Sequence, residues 1–147
     1  MFRLIDGVGV GLAANQIGID SRLAVIEIPP NSKNKKSKPV PPTVLINPRI
    51  LKYSKDKVGG WEGCLSCSGV RFWIERPKDI EVSYVGKDRE HVRKIVKGWE
   101  ARVFQHEIDH LNGIVCGERV ACRNGQVVKG AVVSEAWYQK HVSKKSK

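Results

Sequence analysis

The stretch GWEARVFQHEIDHLNG, residues 98–113, has helical periodicity and ends in an Asn-Gly pair typical of a helix C-terminus. At about 100° per residue, one continuous arc of this helix carries its apolar side chains together with His106, Glu107 and His110. The opposite side carries the polar residues Arg102, Gln105, Asp109 and Asn112. Burying two imidazoles and a carboxylate on an apolar face without partners would be costly, so the pattern predicts a bound metal.

The spacing HExxH fits that chemistry. His106 and His110 are four residues apart, so both side chains can reach one ion from the same helix face. Glu107 is placed to accept a proton from a water that the metal activates, rather than to bind the metal. A third ligand is then required, and Cys64 in the Gly-rich stretch WEGCLS is the attractive candidate; Glu118 is the only close carboxylate downstream. The alternative is a helix with hydrogen-bonded core histidines, because HExxH also occurs by chance.

The remaining pattern predicts strands rather than further long helices. Period-two or continuous apolar runs bounded by turn residues cover 21–29, 43–51, 69–77, 79–86 and 91–98. Pro48 suggests that its strand is an edge strand or contains a bulge. The Gly-rich residues 58–69 are predicted to form a loop or irregular strand, and Asn124-Gly125 a hairpin turn. The sum is an α+β domain with a mostly antiparallel sheet around one central, metal-binding helix.

Charge and hydropathy limit the partners. The net charge of +11 is concentrated in NSKNKKSKP (31–39) and KHVSKKSK (140–147). These segments favour either simple solubility or attraction to a polyanion such as ribosomal RNA. No aromatic residues interleave the lysines, so sequence-specific nucleic-acid binding is not predicted. No apolar run approaches the roughly 20 residues that span a bilayer, and the start lacks the features of a signal peptide. We therefore predict a cytoplasmic protein with no membrane partner, or one of an organelle interior.

The cysteine pattern favours thiols or metal ligands over disulfides, because no export signal is evident. The four cysteines are Cys64, Cys67, Cys116 and Cys122. CLSC (64–67) is a single CxxC, which by itself is weak evidence for a zinc or redox site. Cys116 and Cys122 are predicted to be simply buried.

Three stretches together resemble a known family. GVGLAANQIG (9–18), EGCLS (62–66) and QHEIDHLNG (105–113) resemble, in order, the three signature motifs of the peptide deformylases. The resemblance covers most of the chain. It implies a metal-dependent hydrolase that removes the N-formyl group from the formylmethionine at the start of nascent polypeptides.

The resemblance also implies roles for individual residues. The metal ligands would be Cys64, His106 and His110. Glu107 would act as general base and later as proton donor to the leaving amine, and the Gln16 amide and the Leu65 backbone N–H would form the oxyanion hole. The residues implied in substrate binding are Gly9, Val10, Gly11, Gly63, Arg71, Trp99 and Val103. The glycines would offer backbone to an extended peptide, and the apolar residues would line the methionine pocket.

The implied cofactor is one divalent metal ion, Fe²⁺ first, with Zn²⁺, Ni²⁺ and Co²⁺ as alternatives; spacing alone favours zinc. The implied partners are N-formylmethionyl nascent peptides, and the basic loop and tail suggest the ribosome. We expect a peptide deformylase-like catalytic domain over 1–128 and a C-terminal segment with a basic tail over 129–147. The family's helix before its first motif is expected to be missing.

Two other functions remain open at this point. A zinc endopeptidase could use the same HExxH, and it would take a carboxylate as the third ligand. A catalytically inactive deformylase-like protein could serve as an RNA- or ribosome-binding module. Separately, Glu62 is predicted to pair with Arg76 as structural support, with an ordinary surface pair as the alternative.

Overall fold

The computed structural model describes residues 9–30 and 38–142. The chain divides into two compact units: Met1–Lys57 with Pro77–Gly113, and Val58–Arg76 with Ile114–Lys147. None of the described helices is long and apolar enough to cross a lipid bilayer. Most of the predicted basic loop (31–37) and of the basic tail (143–147) lies outside the described residues.

The described residues contain ten strands and three α-helices. The strands are β1 (Gly11–Ala13), β2 (Leu23–Ile28), β3 (Val40–Tyr53), β4 (Lys57–Cys64), β5 (Cys67–Pro77), β6 (Asp79–Val85), β7 (His91–Lys97), β8 (Cys122–Arg123), β9 (Gln126–Val127) and β10 (Val132–Ser134). The helices are α1 (Gly98–Leu111), α2 (Cys116–Arg119) and α3 (Glu135–His141), and a 3₁₀ helix covers Ala14–Ile17. The composition of elements confirms the predicted α+β class.

The first unit is a five-stranded antiparallel sheet in the order β1-β2-β3-β6-β7, with α1 packed against it. Side chains alternate along the strands, so that Ile26 and Ile28 of β2 and Val82 of β6 point to the core. Phe104 of α1 is fully buried among them. Burial of each of these side chains stabilises the unit by about 1.5–3 kcal/mol, which holds the catalytic-motif helix on the sheet.

Pro48 was predicted to mark an edge or a bulge, and only the bulge is correct. The register of β3 against β6 shifts between Ile46 and Arg49, on either side of Pro48. β3 is a central strand, because it pairs with β2 on one side and β6 on the other. The bulge explains how a residue without a backbone N–H is accommodated inside a sheet.

The polar side of α1 differs from the sequence prediction. Arg102, Gln105 and Asp109 are all buried, with 4–8% of their surface exposed. The Gln105 amide donates to the backbone oxygens of Pro77 and Ala101, both at 3.0 Å. Three of the four residues on the predicted polar side are therefore buried, and Gln105 is accommodated there by its two hydrogen bonds.

The second unit contains a three-stranded sheet in the order β10-β5-β4 and the β8-β9 hairpin. The hairpin turn lies at Asn124-Gly125, as predicted, and both residues have positive φ (52° and 76°). The Gly-rich stretch 58–69 was expected to be a loop or irregular strand, but it forms most of β4 and the start of β5. A Cβ on Gly59 would lie 2.5 Å from the Trp73 ring, so glycine here makes room for a neighbouring aromatic side chain.

Candidate active site

The two histidines of the HExxH motif face each other on successive turns of α1. Their Nε2 atoms are 3.2 Å apart. Two nitrogens bound at about 2.0–2.1 Å to a tetrahedral metal ion would be about 3.3 Å apart. His110 is 3% exposed and His106 is half-buried. The donor atoms, their separation and their burial therefore fit a metal ion.

The end of α1 is anchored by residues of the first sequence motif and its neighbour. Asn15 donates from Nδ2 to the backbone oxygen of His110 at 2.5 Å. Arg22 donates from Nη1 to the backbone oxygen of Leu111 at 3.1 Å and to Asn112 Oδ1 at 2.9 Å. Sequence reasoning missed both donors. The signal was the set of unpaired carbonyl oxygens that every helix C-terminus presents, which require donors from elsewhere.

Glu107 lies directly beneath the first strand of the sheet. It is 4% exposed, and a Cβ on Gly11 would lie 2.2 Å from Glu107 Oε1 and 2.7 Å from its Cγ. β1 is an edge strand of the five-stranded sheet. The missing side chain at Gly11 thus brings an open strand edge close to the carboxylate that the sequence assigns as the base.

This close approach predicts the effect of Gly11→Ala. The added methyl group must displace the buried Glu107 carboxylate, because the space is already filled. We expect lower turnover with unchanged metal content and an intact fold, measured by formate release and circular dichroism. Gly69→Ala has no atom within 4 Å of its new methyl group, although its φ of 81° adds backbone strain; it controls for a general loss of stability. Wild-type turnover by Gly11→Ala would contradict the proposed proximity of β1 to the base.

Gln16, predicted to donate in the oxyanion hole, lies in the 3₁₀ helix that follows β1. Its Oε1 accepts a hydrogen bond from the Ala13 backbone N–H at 2.9 Å. A backbone N–H is a donor, and only the oxygen of the Gln16 amide can accept from it, so this bond fixes the orientation of the amide. The amide nitrogen is then the donating end of this side chain.

The predicted apolar pocket residues belong to one cluster of the first unit. Val103 is 3% exposed and part of the core, and Val10 and Trp99 pack against that core while remaining half-buried. The three residues thus share one apolar cluster of the first unit. Gly9 lies just before β1.

In the second unit, Cys64 is the last residue of β4 and is 9% exposed. Leu65 follows in the two-residue turn to β5 and is 46% exposed. The Arg76 guanidinium forms two hydrogen bonds with Glu62, from Nε at 2.7 Å and from Nη2 at 2.9 Å. Both side chains are buried, so the predicted pair exists as internal support beneath the EGCLS motif rather than as a surface pair.

Two further thiols lie beside Cys64: Cys67, its partner in the CxxC, and Cys116, whose position here the sequence did not predict. The Sγ atoms of Cys64 and Cys116 are within 4.8 Å of each other. A hydrogen bond to Cys64, with burial, raises the pKa of the Cys116 thiol. Burial, together with the neighbouring Cys64, also raises the pKa of the Cys67 thiol. Cys116 is buried as predicted, whereas Cys122 is exposed, which corrects the prediction of burial for it.

Arg71 has partners within the second unit. It forms two bonds with Glu135 of α3, from Nε at 2.5 Å and from Nη2 at 3.3 Å. Its guanidinium lies 5.1 Å from the centre of the Tyr138 ring. A Cβ on Gly63 would lie 2.5 Å from Arg71 Nη1, so this glycine makes room for the arginine. Its role in substrate binding stays a prediction.

Glu118 was the carboxylate alternative for the third ligand. It accepts a hydrogen bond from the backbone N–H of Val115 at 3.2 Å and so satisfies the N-cap backbone at the start of α2. This bond gives Glu118 a structural role at the start of α2.

Comparisons with known proteins agree with this geometry. The polypeptide deformylase family model matches residues 1–125. Peptide deformylase 2 of Nostoc sp. is 35% identical over 139 residues, which are 95% of this chain and 74% of that protein. The peptide deformylase of Desulforudis audaxviator is 46% identical over 111 residues, 76% of this chain and 66% of that protein.

A solved structure gives the same result. The Met-Ala-Ser-bound class I type b peptide deformylase from Acinetobacter baumannii aligns with a TM-score of 0.72 and 38% identity, over 76% of this chain and 70% of that chain. The family match covers all three motifs of the sequence. The chain therefore belongs to the polypeptide deformylase family.

Proposed function

We infer that this chain is a peptide deformylase: a metal-dependent hydrolase that removes the N-formyl group from the formylmethionine of nascent polypeptides. The observation that carries this conclusion is the family match over residues 1–125, combined with a HExxH helix whose two Nε2 atoms are 3.2 Å apart. The Acinetobacter relative was solved with Met-Ala-Ser bound, the peptide that deformylation of formyl-Met-Ala-Ser would release.

We propose that His106 and His110 hold the ion together with Cys64. The histidine separation supports the first two assignments, and the EGCLS motif supports the third. When bound, the ion supplies Lewis acidity, which activates a water and polarises the formyl carbonyl. Two histidines and one thiolate leave a coordination position open, as catalytic rather than structural sites require.

Glu107 is proposed to move the proton. It takes one proton from the attacking water, whose oxygen bonds to the formyl carbon, and then delivers it to the peptide nitrogen as the C–N bond breaks. The products are formate and a free α-amine. Burial of Glu107 at 4% exposure keeps bulk water away from this transfer. General acid–base catalysis of this kind contributes typically about 10²–10⁴-fold to the rate.

Gln16 and Leu65 are proposed to stabilise the oxygen that becomes negatively charged. The support is the fixed amide of Gln16, whose oxygen is held by Ala13, and the position of Leu65 in the turn after β4. One such preorganised donor is typically worth about 2.7–4 kcal/mol in the transition state.

The substrate peptide is proposed to add as a strand along the edge of β1. Among the described strands, β1 pairs with β2 alone, and its glycine lets a second backbone approach Glu107. Strand addition binds the main chain of any sequence, so side-chain selection falls to the methionine pocket. We propose that Val10, Trp99 and Val103 line that pocket, and that Gly9, Gly63 and Arg71 complete the peptide site.

The identity of the metal ion and the cellular location of the enzyme are proposals. We propose Fe²⁺ as the native metal, with Zn²⁺, Ni²⁺ and Co²⁺ as functional substitutes. We also propose that the enzyme acts in the cytoplasm, where the basic segments hold it near the ribosome. Removal of residues 140–147 is then expected to weaken co-sedimentation with ribosomes at low salt, and unchanged co-sedimentation would exclude that role for the tail.

The substrate assignment is tested with three peptides given to the nickel-loaded protein: formyl-Met-Ala-Ser, acetyl-Met-Ala-Ser and a longer peptide blocked at both ends. We expect formate and Met-Ala-Ser from the first peptide only, as measured by mass spectrometry. Cleavage inside the blocked peptide would indicate an endopeptidase instead. Folded, metal-loaded protein that cleaves none of them but binds RNA would indicate the inactive binding module.

The metal content of the Cys64→Ser variant shows whether the third metal ligand is Cys64 or a carboxylate. We expect this variant to lose most of its bound metal, because a serine hydroxyl is a poor replacement for a thiolate. An endopeptidase with a carboxylate ligand would keep its metal. Cys122→Ser, which changes an exposed thiol in β8, is the matched control and should retain a full complement.

A further inference from the structure

The second unit has three cysteines close together, of which the proposed reaction needs only one. Cys64, Cys67 and Cys116 meet in one small core with Phe72 and Ile74. The reaction uses only Cys64. A chain that merely filled this core could do so with aliphatic side chains, which are not vulnerable to oxidation.

We propose that Cys116 is a resolving thiol for Cys64, so that the two form a reversible disulfide when the enzyme meets a peroxide. The inference rests on the proposed function, since it assigns Cys64 as the metal-binding thiol, and it describes the regulation of that site. Its geometric basis is the pair of Sγ atoms within 4.8 Å of each other. A disulfide requires about 2.05 Å, so the two sulfur atoms must approach each other for the bond to form.

The chemistry balances in two steps. Peroxide oxidises the Cys64 sulfur by two electrons, which gives a sulfenic acid and one water. The Cys116 sulfur then attacks that sulfur; the S–S bond forms, the S–OH bond breaks, and the Cys116 proton leaves with the hydroxyl as a second water. Overall, two thiols lose two hydrogens and one peroxide becomes two waters. While the disulfide persists, the Cys64 thiolate is withheld from a metal ion, and a dithiol reductant restores it.

Cys67 is the competing partner, and two observations favour Cys116. Cys64 and Cys67 flank the two-residue turn between β4 and β5, so their disulfide would close a very short loop. The Cys64–Cys116 disulfide connects the end of β4 to α2, far along the chain. A longer closed loop restricts the unfolded chain more, so the Cys64–Cys116 disulfide adds more to the stability of the folded, oxidised chain against unfolding.

The test is a peptide map of the nickel-loaded protein treated with hydrogen peroxide, alkylated and digested with trypsin without reduction. Trypsin releases VGGWEGCLSCSGVR (58–71) and VFQHEIDHLNGIVCGER (103–119). We expect these two peptides to be joined. The joined species should persist in Cys67→Ser and disappear in Cys64→Ser and Cys116→Val, which fills the core position with a similar volume. Cys122→Ser should behave as wild type.

Activity gives a second readout. Formate release is measured before peroxide, after peroxide, and after dithiothreitol with added nickel. We expect wild type to recover most of its activity and Cys116→Val to recover little, because its Cys64 proceeds to irreversible sulfinic or sulfonic acid. A 58–71 peptide closed on itself, or Cys64 found over-oxidised in wild type, would overturn the proposal. Protein that releases no formate before peroxide but still forms the joined peptides would refute the proposed function and leave the disulfide standing.

Discussion

Replacement of Glu107 by alanine is expected to lower formate release from formyl-Met-Ala-Ser by about 10²–10⁴-fold, the usual contribution of a positioned general acid–base group. The metal should stay bound, because the ion is proposed to be held by other residues. Glu107 is buried beneath Gly11 of the edge strand, and alanine at this position carries no group that can take up a proton. The comparison is made at equal metal content, measured by mass spectrometry of the ion.

A matched control lies on the same helix. Glu100 is in the first turn of α1, where its carboxylate pairs with Lys94 at 2.8 Å near the surface. Glu100→Ala should retain nearly all of the turnover, since this pair is partly exposed and worth little. If Glu107→Ala kept wild-type turnover while metal-loaded, Glu107 could not be the base, and the proton would have to move through another group.

The buried ion pair beneath the EGCLS motif is expected to give the largest effect on stability. Arg76→Met leaves the Glu62 carboxylate buried without its two guanidinium hydrogen bonds, at 2.7 and 2.9 Å. Loss of one partner of such a pair typically costs about 3–5 kcal/mol. We expect the free energy of unfolding in urea to fall by that order, and metal affinity to fall with it, because Cys64 is two residues from Glu62.

The double variant Glu62→Leu with Arg76→Met shows whether the loss of stability in Arg76→Met comes from the unpaired charge or from lost packing. It removes both charges and should recover much of the lost stability, since a buried pair can often be replaced by apolar residues. Arg93→Met is the control for loss of an arginine from an exposed pair, because Arg93 is 65% exposed where it meets Glu81. Solvent screens that pair, so its loss should change unfolding little. Equal effects of Arg76→Met and Arg93→Met would contradict a supporting role for the buried pair.

Local patterns predicted much of the fold. The apolar periodicity of α1 and of β2, β6 and β7 was enough to place these elements, because side-chain direction follows from backbone geometry alone. The Asn124-Gly125 hairpin followed from the preference of those residues for positive φ. The periodicity of the sequence did not predict features that depend on packing between distant segments. Gln105 can be buried because its amide donates a hydrogen bond to the Pro77 backbone oxygen. β4 tolerates its glycines because the side chains of Trp73 and Arg71 occupy the space beside Gly59 and Gly63.

The part of the candidate site that lies within one helix could be predicted from the sequence. HExxH places two histidines and a glutamate on one helix face, so the 3.2 Å separation of the Nε2 atoms follows from helix geometry. Contacts between distant segments were not predictable from spacing. The bond from Asn15 to the His110 carbonyl joins residues 95 positions apart, and Cys116 meets Cys64 only because α2 returns to the end of β4.

The most direct test of the central claim is formate release from formyl-Met-Ala-Ser by the nickel-loaded wild-type chain, followed before and after removal of the metal by a chelator. The account predicts one formate and one Met-Ala-Ser for each peptide consumed, loss of turnover with the metal, and recovery when nickel is restored. A folded chain with one metal ion bound that releases no formate would contradict it.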